Sequence, residues 1–164
     1  PPRGTEQNGV AYHFVDEREF LRRREEGDFL ETAQVFGRWY GTSKSFIQGR
    51  LAARRHVIMD IDVQGAAQIC STDIPQVKIF IIPPSMEILR ERLMKRATDS
   101  PQEIEKRLTI ARKELEYIPD YDYLVVNNEL SQAVREVLAI VQAEENRVGR
   151  YRDPIKGFLK QENQ

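Results

Sequence analysis

The chain reads as an α/β protein: a parallel core sheet flanked by helices, with a small mixed α/β lobe ahead of it. Three observations predict this. Residues 57–62, 77–82 and 123–127 form short apolar runs, rich in β-branched side chains and too short for ordinary helices. Helical patterns lie between and after these runs, the alternation expected of a parallel sheet with crossover helices. The first 56 residues lack that alternation and mix short strands with short helices.

Taken in order, Tyr12-His13-Phe14-Val15 reads as a short strand. Asp16-Glu17-Arg18-Glu19 is a capping box that opens a helix to about Glu26, and Arg22 to Glu26 is its solvated face. Phe29 to Phe36 reads as another strand, Gly37 to Gly41 as a turn, and Thr42 or Ser43 as the cap of a helix through Ile47 and Leu51. The runs Val57–Asp62, Val77–Ile82 and Tyr123–Asn127 are expected to be strands buried on both faces. Ser85 caps a helix to about Met94. Ser100-Pro101-Gln102-Glu103 is a helix start: a cap, a proline at the first position and a glutamate three residues after the cap. That helix continues through Ile104, Leu108, Ala111 and Leu115. Ser131 opens a last long helix with Val134, Val137, Leu138 and Val141 on one face.

The chain has 164 residues, one domain's worth, with 40% apolar and 31% charged residues, a globular composition. Lys plus Arg number 25 and Asp plus Glu 26, which argues against a large nucleic-acid footprint or a polybasic membrane anchor. The single cysteine, Cys70, cannot form an internal disulfide, and His13 and His56 are far apart with no zinc-like spacing. No apolar run approaches ~18 residues, the first ten residues do not read as a signal peptide, and the expected location is cytoplasmic.

Ligands bind parallel sheets at the carboxyl ends of the strands. Asp60 and Asp62 end one expected strand, and Asn127 with Asn128 ends another. An apolar strand finishing in Asp-x-Asp suits a metal-bound phosphate or a positioned polar ligand; acidic strand ends also serve simply to cap loops. In the lobe, Arg3, Tyr12, Glu31, Tyr40 and Thr42 offer a second constellation. Arg and Tyr donors suit a phosphate monoester. A carboxylate offers two acceptors matching the two donors on the Watson–Crick edge of guanine, and Thr42 can donate to the neighbouring carbonyl oxygen. Adenine presents the wrong donor–acceptor order. On spacing alone this is one reading beside another, a surface glutamate with half-buried tyrosines. Arg90, Arg92, Arg96, Arg107 and Arg112 flank a turn at residues 97–101. They suggest either a phosphoryl-transfer lid or an exposed amphipathic hairpin.

Together these segments resemble the guanylate kinase family. The matches run, in order, through Pro2-Arg3, Glu6, Gly9 and Tyr12-His13-Phe14, then Phe29-Leu30-Glu31 and Tyr40-Gly41-Thr42. They continue through Met59-Asp60-Ile61-Asp62-Val63-Gln64-Gly65, Ile81-Ile82-Pro83-Pro84-Ser85 and Arg96-Ala97-Thr98-Asp99-Ser100. Lys106-Arg107-Leu108 and Tyr121 to Asn128 complete the set, which covers about residues 1–145. The resemblance implies a P-loop nucleoside monophosphate kinase-like fold. It also implies the reaction of ATP with GMP to give ADP and GDP, with Mg2+ bound to ATP. Arg3, Tyr12 and Tyr40 would hold the GMP phosphate, Glu31 and Thr42 would read guanine, and Asp62 would help position the nucleotide. Asp60 would lie near the magnesium and its waters without ligating it directly. Arg96 and Arg107 would act on the transferring group, and Asn127 would sit near the adenosine. The implied layout is a GMP lobe over 1–45, a core over 46–94 and 116–164, and a lid over 95–115, in a monomer or homodimer that binds neither nucleic acid nor membrane.

One departure stands out. The family's glycine-rich loop ending in Gly-Lys-Ser/Thr occurs nowhere in these 164 residues. The expectation is that roughly 35–45 residues carrying it lie upstream of Pro1, judged by usual domain size, and that the chain by itself is inactive. The competing expectation is a non-catalytic guanylate kinase-like interaction module. The presence of Asp60, Asp62, Arg96 and Arg107 favours the enzyme.

Overall fold

The structure, a computed structural model, describes residues 7–10, 12–35, 37–95 and 100–150. The chain divides into two compact units, Pro1–Gln76 and Val77–Gln164.

In the first unit, helix α1 (Glu17–Glu25) starts where Asp16 accepts a hydrogen bond from the Glu19 amide at 2.8 Å. The Glu19 carboxylate is bound by Arg22 instead of closing the expected box, and Arg22 also pairs with Glu26 along the solvated face. The Phe20 ring is buried, stacked on Phe29 at 4.7 Å and on Trp39 at 5.7 Å. Strand β1 (Phe29–Val35) pairs antiparallel with β2 (Arg38–Ser43). The expected turn over Gly37–Gly41 is therefore shorter: residues 38–41 belong to β2, because cross-strand pairing overrides the turn preference of Gly41. Ser43 caps helix α2 (Lys44–Ala52) by accepting from the Phe46 amide.

Two expected strands do not form. Tyr12–Val15 makes only an isolated bridge between Tyr12 and Asn8. Residues 57–62 take no regular structure, and Ile58 is 86% exposed. Composition makes a strand possible, but hydrogen bonding to a neighbour makes it real. Among the described residues nothing pairs with 57–62. After it comes helix α3 (Val63–Cys70), which the apolar patterning did not single out. Asp62 caps it, and Ala66 and Ile69 are buried.

In the second unit, β3 (Ile79–Ile82) and β4 (Tyr123–Val126) pair in parallel, as expected of the core sheet. They are shorter than expected and are not buried on both faces: Val125 is buried, whereas Ile81, Leu124 and Val126 are exposed. Helix α4 (Met86–Lys95) opens at Ser85, whose hydroxyl accepts from the Ile88 amide. Helix α5 (Pro101–Glu114) opens on the full Ser100/Glu103 capping box. Leu93, Ile104 and Leu108 form a buried cluster between these helices, with Met86 and Leu89 against it. A short 3₁₀ segment over Leu115–Asp120 leads into β4.

Helix α6 (Leu130–Glu145) begins one residue before Ser131, with Glu129 at the cap position. Its covered stripe also differs from the expected one. Ala133 and Glu144 are buried and Val137 and Val141 half-buried, but Val134 and Leu138 face solvent. Among the described residues, no helix is long and apolar enough to cross a membrane.

Candidate active site

The lobe site grows from an irregularity in the β1–β2 ladder. Phe29 pairs with Ser43, but the next partner of Thr42 is Glu31, so Leu30 is an extra residue on β1. Without this bulge, Glu31 would lie opposite Gly41. With it, Glu31 and Thr42 face each other, and the Thr42 hydroxyl donates to Glu31 Oε1 at 2.6 Å. The stretch Tyr40-Gly41-Thr42 needs its glycine: a Cβ at Gly41 would lie 3.0 Å from the Phe29 ring and 3.2 Å from the Glu31 carbonyl oxygen.

Helix α3 closes the other side of Glu31. The Asp62 carboxylate accepts from the Gly65 amide at 2.9 Å and from the Gln64 side chain at 3.1 Å. Gly65 then passes so close that a Cβ there would be 2.7 Å from Glu31 Oε2. Glu31 is left 5% exposed. Burial pushes its carboxyl above the usual glutamate range; the Thr42 hydrogen bonds oppose this, and the Asp62 charge adds to it.

Tyr12 and Tyr40 also come together, with ring centroids 5.9 Å apart and planes at 65°. The loop before Tyr12 is shaped by Asn8, whose side chain accepts from the Phe14 amide at 2.8 Å, while the Gly9 amide donates to the Tyr12 carbonyl at 2.7 Å. Asn8 was legible in principle, since Asn-Gly is a turn signal. Asp60 is exposed, two residues before the cap of α3. Arg3 and Arg96 lie outside the described residues.

The second unit carries Arg107, half-buried on α5, and Asn127, half-buried just past β4. The Asn127 amide donates to the Ile82 carbonyl at 2.7 Å. Arg92 grips the same turn, donating to the Asn127 and Asn128 carbonyls at 2.8 and 3.0 Å. Arg90 is ion-paired with Glu105 across the two helices of the hairpin. Arg90 and Arg92 are thus engaged within the unit, a structural duty that sequence spacing does not reveal.

The fold class is that of the nucleoside monophosphate kinases, an α/β core with a helical hairpin and a lobe closed around a buried carboxylate. The family model described as Guanylate kinase matches residues 1–144. The guanylate kinase of Nitrosomonas europaea is 47% identical over 144 residues, 88% of this chain and 72% of that protein. That of Methylobacillus flagellatus is 41% identical over 162 residues, 96% of this chain and 80% of its own length. The crystal structure of guanylate kinase from Anaplasma phagocytophilum superposes with a TM-score of 0.81 at 30% identity, covering 98% of this chain and 79% of that one. The chain belongs to the guanylate kinase family.

Proposed function

We propose that the chain acts as an ATP:GMP phosphotransferase in which Glu31 is the residue that recognises guanine. The observation that carries this is the burial of Glu31. Among the described residues no cation pairs with its carboxylate, and burying such a group costs several kcal/mol, about the penalty of taking an ion from water. A function that needs a desolvated acceptor explains why the cost is borne. An ionised carboxylate has about four lone-pair sites. It can keep the Thr42 bond and still accept from the N1–H and exocyclic amine of guanine. Adenine offers an acceptor at N1, which would leave Glu31 facing another acceptor.

In this reading Arg3 and the hydroxyls of Tyr12 and Tyr40, whose rings meet edge to face, hold the GMP phosphate. Thr42 orients Glu31 and shares the guanine edge with it, and Asp62 helps position the nucleotide. Asn127 lies by the adenosine, its turn held by Arg92. One oxygen of the GMP phosphate attacks the γ-phosphorus of ATP in line, the bond to the β-phosphate oxygen breaks, and ADP leaves. Arg96 and Arg107 neutralise the charge spread over the group in flight. Magnesium, when bound with ATP, would supply positive charge that offsets the phosphates. Such an ion keeps most of its water shell, which fits the exposed carboxylate of Asp60 as a partner for those waters. The hairpin around residues 95–115 acts as the lid over ATP and residues 1–45 as the GMP lobe, and closure keeps water from the γ-phosphate. The enzyme works in the cytoplasm, as a monomer or homodimer.

The test is Glu31→Gln in the complete enzyme. Gln can still accept from Thr42, so the fold should hold, but one acceptor becomes a donor. The expected result is a GMP KM raised about 10- to 100-fold, the worth of a charge-assisted hydrogen bond, with the ATP KM nearly unchanged. Equal losses for both nucleotides would overturn the assignment.

A further inference from the structure

We propose that Gln68 is a positioning residue for guanine recognition: its side-chain amide pairs with the Thr32 peptide group and so fixes α3 against β1 at the height where Gly65 meets Glu31. The proposal rests on the reading of Glu31 as the guanine-recognising group.

One edge of β1 is taken by β2. On the other edge, the Thr32 N–H donates to Gln68 Oε1 at 3.0 Å, and Gln68 Nε2 donates to the Thr32 carbonyl at 2.7 Å. The side chain thus does for one residue what a neighbouring strand does along a whole edge. Its second amide hydrogen reaches the Gln64 carbonyl at 3.2 Å, one turn back on α3. Three of the four hydrogen-bonding positions of the amide are therefore used, and its orientation is set from both sides.

The placement is what links this pair to chemistry. Thr32 follows Glu31 directly, and Gln68 lies three residues after Gly65, on the same side of the helix. Helix α3 therefore touches β1 at two adjacent points: Gly65 against the Glu31 carboxylate and Gln68 on the Thr32 peptide. The buried Ala66 and Ile69 also hold α3 in the unit. Apolar contact is non-directional, however, and cannot by itself choose a height along a strand. A slip of one residue would move the helix by about 3.3 Å, while a recognition group has to be held to about 0.5 Å. The amide pair supplies the missing directional constraint.

The experiment compares Gln68→Met with Glu31→Gln in the complete enzyme, using GMP and inosine monophosphate, which lacks the exocyclic amine. Methionine keeps the length of the side chain and removes both bonds to Thr32. The expected result is a GMP KM raised about tenfold and a narrowed preference for GMP over inosine monophosphate. The kcat at saturating GMP and the ATP KM should stay within about twofold. An unchanged GMP KM overturns the proposal, and so does a parallel loss in kcat and in the KM of both nucleotides. If Glu31→Gln separates GMP from ATP while Gln68→Met shifts nothing, the positioning role alone falls. If Glu31→Gln does not separate them, the guanine reading falls and takes this proposal with it. Should Gln68→Met fail to fold, amide exchange in the unmutated enzyme decides. Slow exchange at Thr32, slowed further by GMP, supports the role; fast exchange with and without GMP overturns it.

Discussion

A buried carboxylate holds its proton to higher pH than one in water, and Glu31, with no cation paired to it among the described residues, is in that position. Between the ordinary glutamate range and its raised folded value, the folded chain binds a proton that the unfolded chain has lost. Stability contributed by this site is therefore fully present at acid pH and falls as pH rises through that window. Glu31→Gln removes the titration. Urea titrations at a series of pH values should show the variant gaining on the parent as pH rises, by about 1 kcal/mol at neutral pH, on the scale of a buried polar group's imbalance. A constant difference across pH would contradict the burial penalty. Guanine donors favour the charged form, so GMP binding should also tighten as pH rises through the same window, and Glu31→Gln should lose that part of the dependence.

At the scale of elements, the site is a junction of one bulge and one helix start. The bulge at Leu30 turns Glu31 toward Thr42, and the cap at Asp62 brings Gly65 against Glu31. Neither element can shift without moving the carboxylate. Gly65→Ala should therefore raise the GMP KM about tenfold or more, since the methyl group and Glu31 Oε2 would occupy the same space. Helix α3 is otherwise well suited to alanine, so the loss in thermal stability should be modest by comparison. A variant with unchanged GMP KM would show that Glu31 has room to move. In the other unit, the α4–α5 hairpin relies on Leu108, 1% exposed in its cluster with Leu93 and Ile104. The Arg90–Glu105 pair at its surface adds little to stability.

At the scale of the molecule, phosphoryl transfer asks for positioning and charge neutralisation, divided among segments far apart in the chain. Replacing Arg107 or Arg96 with alanine in the complete enzyme should depress kcat by about 100-fold or more, as for other groups that act on a transition state, with GMP affinity little changed. A loss confined to GMP affinity would remove these residues from the transfer step.

What the sequence by itself determined was local. The caps at Asp16, Ser43, Ser85 and Ser100 were legible because a side-chain oxygen meets an amide only three residues on, so neighbouring residues carry the whole interaction. The family, and with it the chemistry, was legible because its motifs are short and ordered. Only the tertiary structure decided which apolar runs became strands, since residues 57–62 and 79–82 look alike until one of them finds a partner. It alone decided that Glu31 pairs with Thr42 and that Gly65 and Gln68 register α3 on β1. Those contacts join residues 11, 34 and 36 positions apart, distances over which composition and periodicity carry no information about pairing.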